Sequence, residues 1–164
     1  MSATTSPTTS SSARPAQLAN LDPLAQLRAG RLPTRVVRLG VGLWLYGVSI
    51  ALMIEGDVGA SPWDVFHLGV DAHAPLGFGA AMVTTSAVVM LGWIPLRQMP
   101  GVGTVANATL LGPFAAISLG LVPTPDALAV RVGFMAAGVV LCAFATAMYV
   151  GAQLGPGPRD GLMT

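Results

Sequence analysis

Four long apolar runs divide the chain, at about 36–54, 77–94, 105–122 and 132–152, and none carries a charge in its interior. A helix rises about 1.5 Å per residue, so about twenty residues cross the roughly 30 Å of a bilayer's hydrocarbon. The pattern therefore predicts four transmembrane helices. Proline and glycine separate them, at Ala74-Pro75, at Pro95 with Pro100-Gly101, and at Pro123-Thr124-Pro125. Ahead of the first run, residues 1–30 lack apolar periodicity and read as a disordered tail. Within it, Asp22-Pro23 and the closing Gly30 frame either a short interfacial helix or a linker.

Composition agrees with a membrane setting. Only 9% of the residues are charged, against about 25% in soluble domains, so the chain cannot cover a water-facing surface. Its basic residues are all Arg and form no stripe beside a reading element, which excludes a nucleic-acid partner. The lone Cys142 lies in an apolar run and reads as a small hydrophobe. His67 and His73 lie with Asp64 and Asp71 in what reads as a polar loop, short of a metal-ligand pattern. No nucleophile–base pair or phosphate loop is present, so neither an enzyme nor a cofactor is expected. Arginines at 28, 31, 35 and 38, and again at 97, put the N-terminus in the cytoplasm by the positive-inside rule. Arg131 alone runs against that scheme.

Between the first two runs lies Gly59-Ala60-Ser61-Pro62-Trp63-Asp64, and a degenerate copy follows the fourth run at Gly155-Pro156-Gly157-Pro158-Arg159-Asp160. Aligned without gaps at an offset of 96, residues from Arg35 and from Arg131 match at eight of 34 positions. The matches include Arg35/Arg131, Gly42/Gly138, Gly59/Gly155, Pro62/Pro158 and Asp64/Asp160. A repeat that recurs after three helices is inverted in the bilayer. Inverted repeats underlie many secondary transporters, which bind substrate at the repeat interface. The expected organisation is a first three-helix repeat at 31–130 and an incomplete second repeat at 131–164. Symmetry calls for two further helices after Thr164, supplied by a longer chain or by a second subunit of a homo-oligomer; the longer chain is the expected case.

Each acidic turn reads as a helix start. Ser61 caps, Pro62 takes the first helical position, and Asp64 can accept from the free amide groups there. Gly157, Pro158 and Asp160 fit the same scheme. In one reading Asp64 and Asp160 only complete these caps. In the other the turns dip inward, and the carboxylates line a solute or ion pathway with Ser61, Asn107 and Arg159. Gly59, Pro62, Trp63, Gly155 and Pro158 then shape the motif, with Trp63 as an interfacial anchor. Thr104 is expected to cap the third long helix. Gly40, Gly42, Gly47, Gly133 and Gly138 are expected to allow close helix packing.

Taken together, Gly-x-Ser-Pro-Trp-Asp at 59–64, Gly-x-Gly-Thr at 101–104, Gly112-Pro113-Phe114 and Gly-Pro-Arg-Asp-Gly at 157–161 resemble the YitT/YczE group of bacterial integral membrane proteins. That resemblance covers about residues 35–164. It implies a multi-pass protein of the bacterial plasma membrane, with further hydrophobic segments after the Gly-Pro-Arg-Asp-Gly stretch, and implies no particular substrate. The functional expectation is a transporter-like protein for a small solute, with a non-transporting membrane scaffold as the alternative.

Overall fold

A computed structural model describes residues 32–74, 76–96, 100–155 and 157–158. All regular structure among them is helical: α1 (Leu32–Gly56), α2 (Pro62–His73), α3 (Phe78–Leu96), α4 (Val102–Leu121) and α5 (Leu128–Gly151). The expected tail and its interfacial helix at 22–30 lie outside the described residues.

Three helices, α1, α4 and α5, are each long and apolar enough to cross a membrane. The predicted second span is more complex, because α2 and α3 together form a pair bent by 109°. Counting that pair as one span restores the expected four. Asp64, His67, Asp71 and His73 therefore lie on a helix and not in a loop.

In space the helices run α5, α1, α4, α3, α2 as a row of packed neighbours. Leu39 and Leu43 of α1 pack with Tyr149 near the end of α5, while Ile50 meets Phe78, Met82, Leu111 and Ala115. The outer faces stay apolar, with Val37, Val88, Ile94, Leu121 and Val140 all exposed. In water such a surface would be a liability. Against lipid tails it is the matching solvent.

Without a hydrophobic drive between helices in lipid, close backbone approach supplies much of the packing. A Cβ on Gly42 would stand 2.9 Å from the Tyr149 nitrogen, and one on Gly138 would stand 3.0 Å from the Ser49 oxygen. Gly47 likewise lies against the backbone of Phe114 and Ala115. Gly40 and Gly133, expected to do the same, face open space. Thr104 also departs from expectation. Gly101 is the N-cap of α4, and the Thr104 hydroxyl, one turn in, accepts from the Gly101 N–H.

The antiparallel contact between α1 and α5 is closed at both ends by arginine. Arg35 donates through Nε to the Ala152 carbonyl at 2.9 Å and through Nη2 to the Gln153 carbonyl at 2.7 Å. Arg131 donates through Nε to the Gly56 carbonyl at 3.0 Å and through Nη2 to the Asp57 carbonyl at 2.6 Å. It also pairs with the Asp57 carboxylate. Asp57 and Gln153, the residues that leave the two helices, both adopt left-handed φ, 47° and 51°. A helix end leaves carbonyls without partners, and here a guanidinium on the neighbouring helix supplies the missing donors. Its charge also complements the negative end of the helix dipole.

Candidate functional site

The first acidic turn folds as a capped helix start. Ser61 is the N-cap of α2, its hydroxyl accepting from the Asp64 N–H at 3.2 Å and donating to the Asp64 carboxylate at 2.6 Å. Pro62, at the first helical position, loses no hydrogen bond there. Asp64 is buried, with 2% of its surface exposed. It sits in the first turn of α2, where the helix dipole favours an anion.

One turn on, along the same face, His67 is buried at 4% exposure. It helps to line a small recess enclosed by α2, α3, α4 and the second turn: Trp63, His67, Thr85, Ser86, Asn107 and Pro158 contribute to its wall. The recess measures about 20 Å³, room for one water molecule. Asn107 is 8% exposed, and no hydrogen bond joins its side chain to any described residue. The Thr85 and Ser86 hydroxyls are likewise uncommitted among the described residues. The contrast with other intrahelical hydroxyls is clear: Ser49, Thr109 and Ser118 all donate to carbonyls of their own helices.

Outside the recess lies an apolar groove of about 550 Å³ between α2 and α3, lined by Pro62, Trp63, Phe66, Val70, Val88 and Val89 with two threonines. Trp63, Thr85 and Val89 belong to both spaces and form the partition between them. Trp63 thus stands at the mouth of the recess, in edge contact with Phe66.

The second turn is seated on the start of α4. Leu154 accepts from the Gly103 N–H at 2.7 Å, and Gly155, at φ 120°, passes so close to Gly101 that a Cβ would meet its Cα at 3.0 Å. The Gly-x-Gly-Thr motif is therefore the cradle for this turn. Pro158 is fixed through its carbonyl, which accepts from Trp93 Nε1 at 3.0 Å.

Of the sequence candidates, Asn107, Trp63 and Pro158 come together at the recess, while Pro62 lines the groove. Asp64 and Ser61 bond to each other, and Gly59 is exposed. Arg159 and Asp160 lie outside the described residues. His67, Thr85 and Ser86 are additional wall residues. Asp64, His67 and Asp71 fall at positions i, i+3 and i+7, one polar face of a helix whose other residues, His73 apart, are apolar, and that spacing is the signal that marks His67 as inward-facing. Among the described residues, no three His, Cys, Asp or Glu side chains group as metal ligands.

Apolar helices around an internal polar recess define a multi-helix membrane protein. The chain belongs to a family of unknown function, DUF6198, with residues 33–164 matched. An uncharacterized protein of Haemophilus influenzae is 35% identical over 121 residues, covering 74% of this chain and 56% of that protein. The uncharacterized membrane protein YczE of Bacillus subtilis is 34% identical over 125 residues, covering 74% of this chain and 58% of YczE. This agrees with the resemblance carried by the Ser-Pro-Trp-Asp and Gly-Pro-Arg-Asp motifs. The chain spans just over half the length of these two curated relatives. No solved structure matches it.

Proposed function

We propose that this chain is part of a transporter-like, non-enzymatic protein of the bacterial plasma membrane, N-terminus inside, that moves a small solute through the recess at Asn107. The observation that carries the reading is a correspondence at the offset of 96. Arg35 clamps residues 152 and 153, and Arg131 clamps residues 56 and 57. Gly42 meets Ala145 and Tyr149, while Gly138 meets Ser49 and Met53. Asp57 donates its N–H to Ile54 and Gln153 to Val150, each at 3.0 Å. In the first two cases the second contact is the first with 96 exchanged between the partners, as an inverted repeat around a twofold axis between α1 and α5 requires; in the third the same local turn recurs 96 residues on. Inverted repeats with bent or broken helices and a central polar site are a recurring transporter plan. The bent α2/α3 pair and the recess supply the other two parts.

The competing scaffold reading gains from one observation, the Ser61–Asp64 cap, which gives that carboxylate a structural task. Alternating access separates the two. Ser86→Cys in a Cys142→Ser background is treated in sealed vesicles with a membrane-impermeant maleimide, applied from one side and then from the other. A transporter exposes position 86 to both sides. Labelling from one side only, or from neither, refutes transport through the recess.

A further inference from the structure

We propose that the recess and the groove together form one binding site for an uncharged amphiphile that enters sideways from the bilayer. A hydroxyl-bearing head would occupy the recess, and an alkyl chain would lie in the groove. This deepens the transport reading by naming a substrate class, yet it concerns binding and stands or falls on a separate measurement.

Two properties of the site carry the inference. First, the two spaces adjoin, with Trp63, Thr85 and Val89 as common wall, and they differ in chemistry. The groove, at about 550 Å³, lies in the 300–1,000 Å³ range typical of ligand sites and is almost wholly apolar. Two of its lining residues, Phe66 and Val88, are exposed on the apolar outer surface. A hydrophilic solute gains nothing there, whereas each buried methylene of an alkyl chain gains contact with Phe66, Val70 and Val88.

Second, the recess wall carries polar groups with no hydrogen bond to a described residue. The Asn107 amide offers two donors and one acceptor, and the Thr85 and Ser86 hydroxyls add both kinds. A ligand hydroxyl placed beside them would gain hydrogen bonds away from bulk water. Among the described residues, no Arg, Asp or Glu lines the recess. A charged head would shed its water there with none of those side chains to face it. At about 20 Å³ the space takes a single small polar group, not a phosphate or a sugar. Charge and size both select a neutral hydroxyl.

The test uses the purified full chain in phosphatidylcholine nanodiscs. The probe is a long-chain primary alcohol with a photoactivatable diazirine in mid-chain, and the comparator is the methyl ether of the same alcohol, which lacks a hydroxyl. Adducts are mapped by peptide mass spectrometry. The expected result is labelling at Phe66, Val70 and Val88, competed by unlabelled oleyl alcohol and about ten-fold stronger for the free hydroxyl, as the loss of hydrogen bonding to a buried polar site implies. Asn107→Leu should abolish the preference for the free hydroxyl, and Ser86→Ala should reduce it if the first variant does not fold. Equal labelling by the two probes, or a preference that survives in a folded Asn107 or Ser86 variant, would show ordinary lipid contact and overturn the proposal. Absence of groove adducts, as a covering helix would produce, also overturns it. Alternating access at position 86 can fail while this binding persists, so the two readings are separable.

Discussion

Replacing Arg35 with methionine keeps a long apolar side chain but removes the donors that close the end of α5. Arg35 is only 9% exposed, and two of its contacts are hydrogen bonds to the carbonyls of Ala152, which is fully buried, and Gln153. Hydrogen bonds to a charged group contribute about 1.5–3 kcal/mol each, and a buried carbonyl left without a donor adds a cost of its own. Water cannot easily reach this site, so Arg35→Met should destabilise the fold by about 3–5 kcal/mol. The equivalent change at Arg131 differs in setting. The Arg131 side chain is 27% exposed and its partner Asp57 is 77% exposed, so solvent can rehydrate the freed groups. A loss of about 1–2 kcal/mol is expected there. Lysine at position 35 offers one compact ammonium and cannot span both carbonyls, so Arg35→Lys should fall between wild type and Arg35→Met. The assay is reversible unfolding in mixed micelles of increasing SDS fraction, followed by tryptophan fluorescence. Equal losses for the two arginine-to-methionine variants, or a loss below about 1 kcal/mol for Arg35→Met, would refute this account of buried against solvated clamps.

Two further substitutions probe the packing and the cap. Gly42→Ala places a methyl 2.9 Å from a backbone nitrogen and should cost about 1–3 kcal/mol in the same assay, while the first obstacle to Gly138→Ala is the flexible Met53 side chain at 2.7 Å. The Gly42 variant should therefore be the less stable, and the reverse order would contradict the geometry. Asp64→Asn keeps the cap shape but removes the anion from the start of α2. It should cost about 0.3–1 kcal/mol, read as faster amide exchange in α2, and leave maleimide labelling at position 86 unchanged; a change in labelling would put Asp64 in the pathway.

Run length alone made most of the helical layout legible. The segments predicted at 77–94, 105–122 and 132–152 lie within a few residues of α3, α4 and α5. The start of α1 was hidden by Arg35 and Arg38, because charge marks the edge of an apolar run. A guanidinium that ends on carbonyls of a neighbouring helix can lie inside the helix all the same. The start of α2 was legible in its Ser61-Pro62 cap, but its extent was obscured because Asp64 and His67 face the protein while Val65, Phe66 and Leu68 face outward. Gly40 and Gly42 cannot be told apart by residue type, and only the rotation of α1 decides which of them meets Tyr149. As for the site, Asn107 was visible as an amide in an apolar helix. The recess was not, because it is assembled from four separate elements of the chain, with His67 and Asn107, for example, 40 positions apart.

The two arginine clamps also bear on how the protein enters the membrane. They close opposite ends of an antiparallel pair, so whichever way up the protein sits, one arginine must be carried to the far side. A clamped Arg131 is thus a poor retention signal, and the positive-inside expectation rests on the other arginines of the sequence, such as those at 28, 31 and 97. In order of synthesis, α1 is complete before Arg131 is made, so Gly56 and Asp57 are already in place to receive it. Arg35, made first, gains the Ala152 and Gln153 carbonyls only when the end of α5 arrives. Capture of those carbonyls by Arg35 should thus be a late step in the packing of the described helices, one that ties α1 to α5.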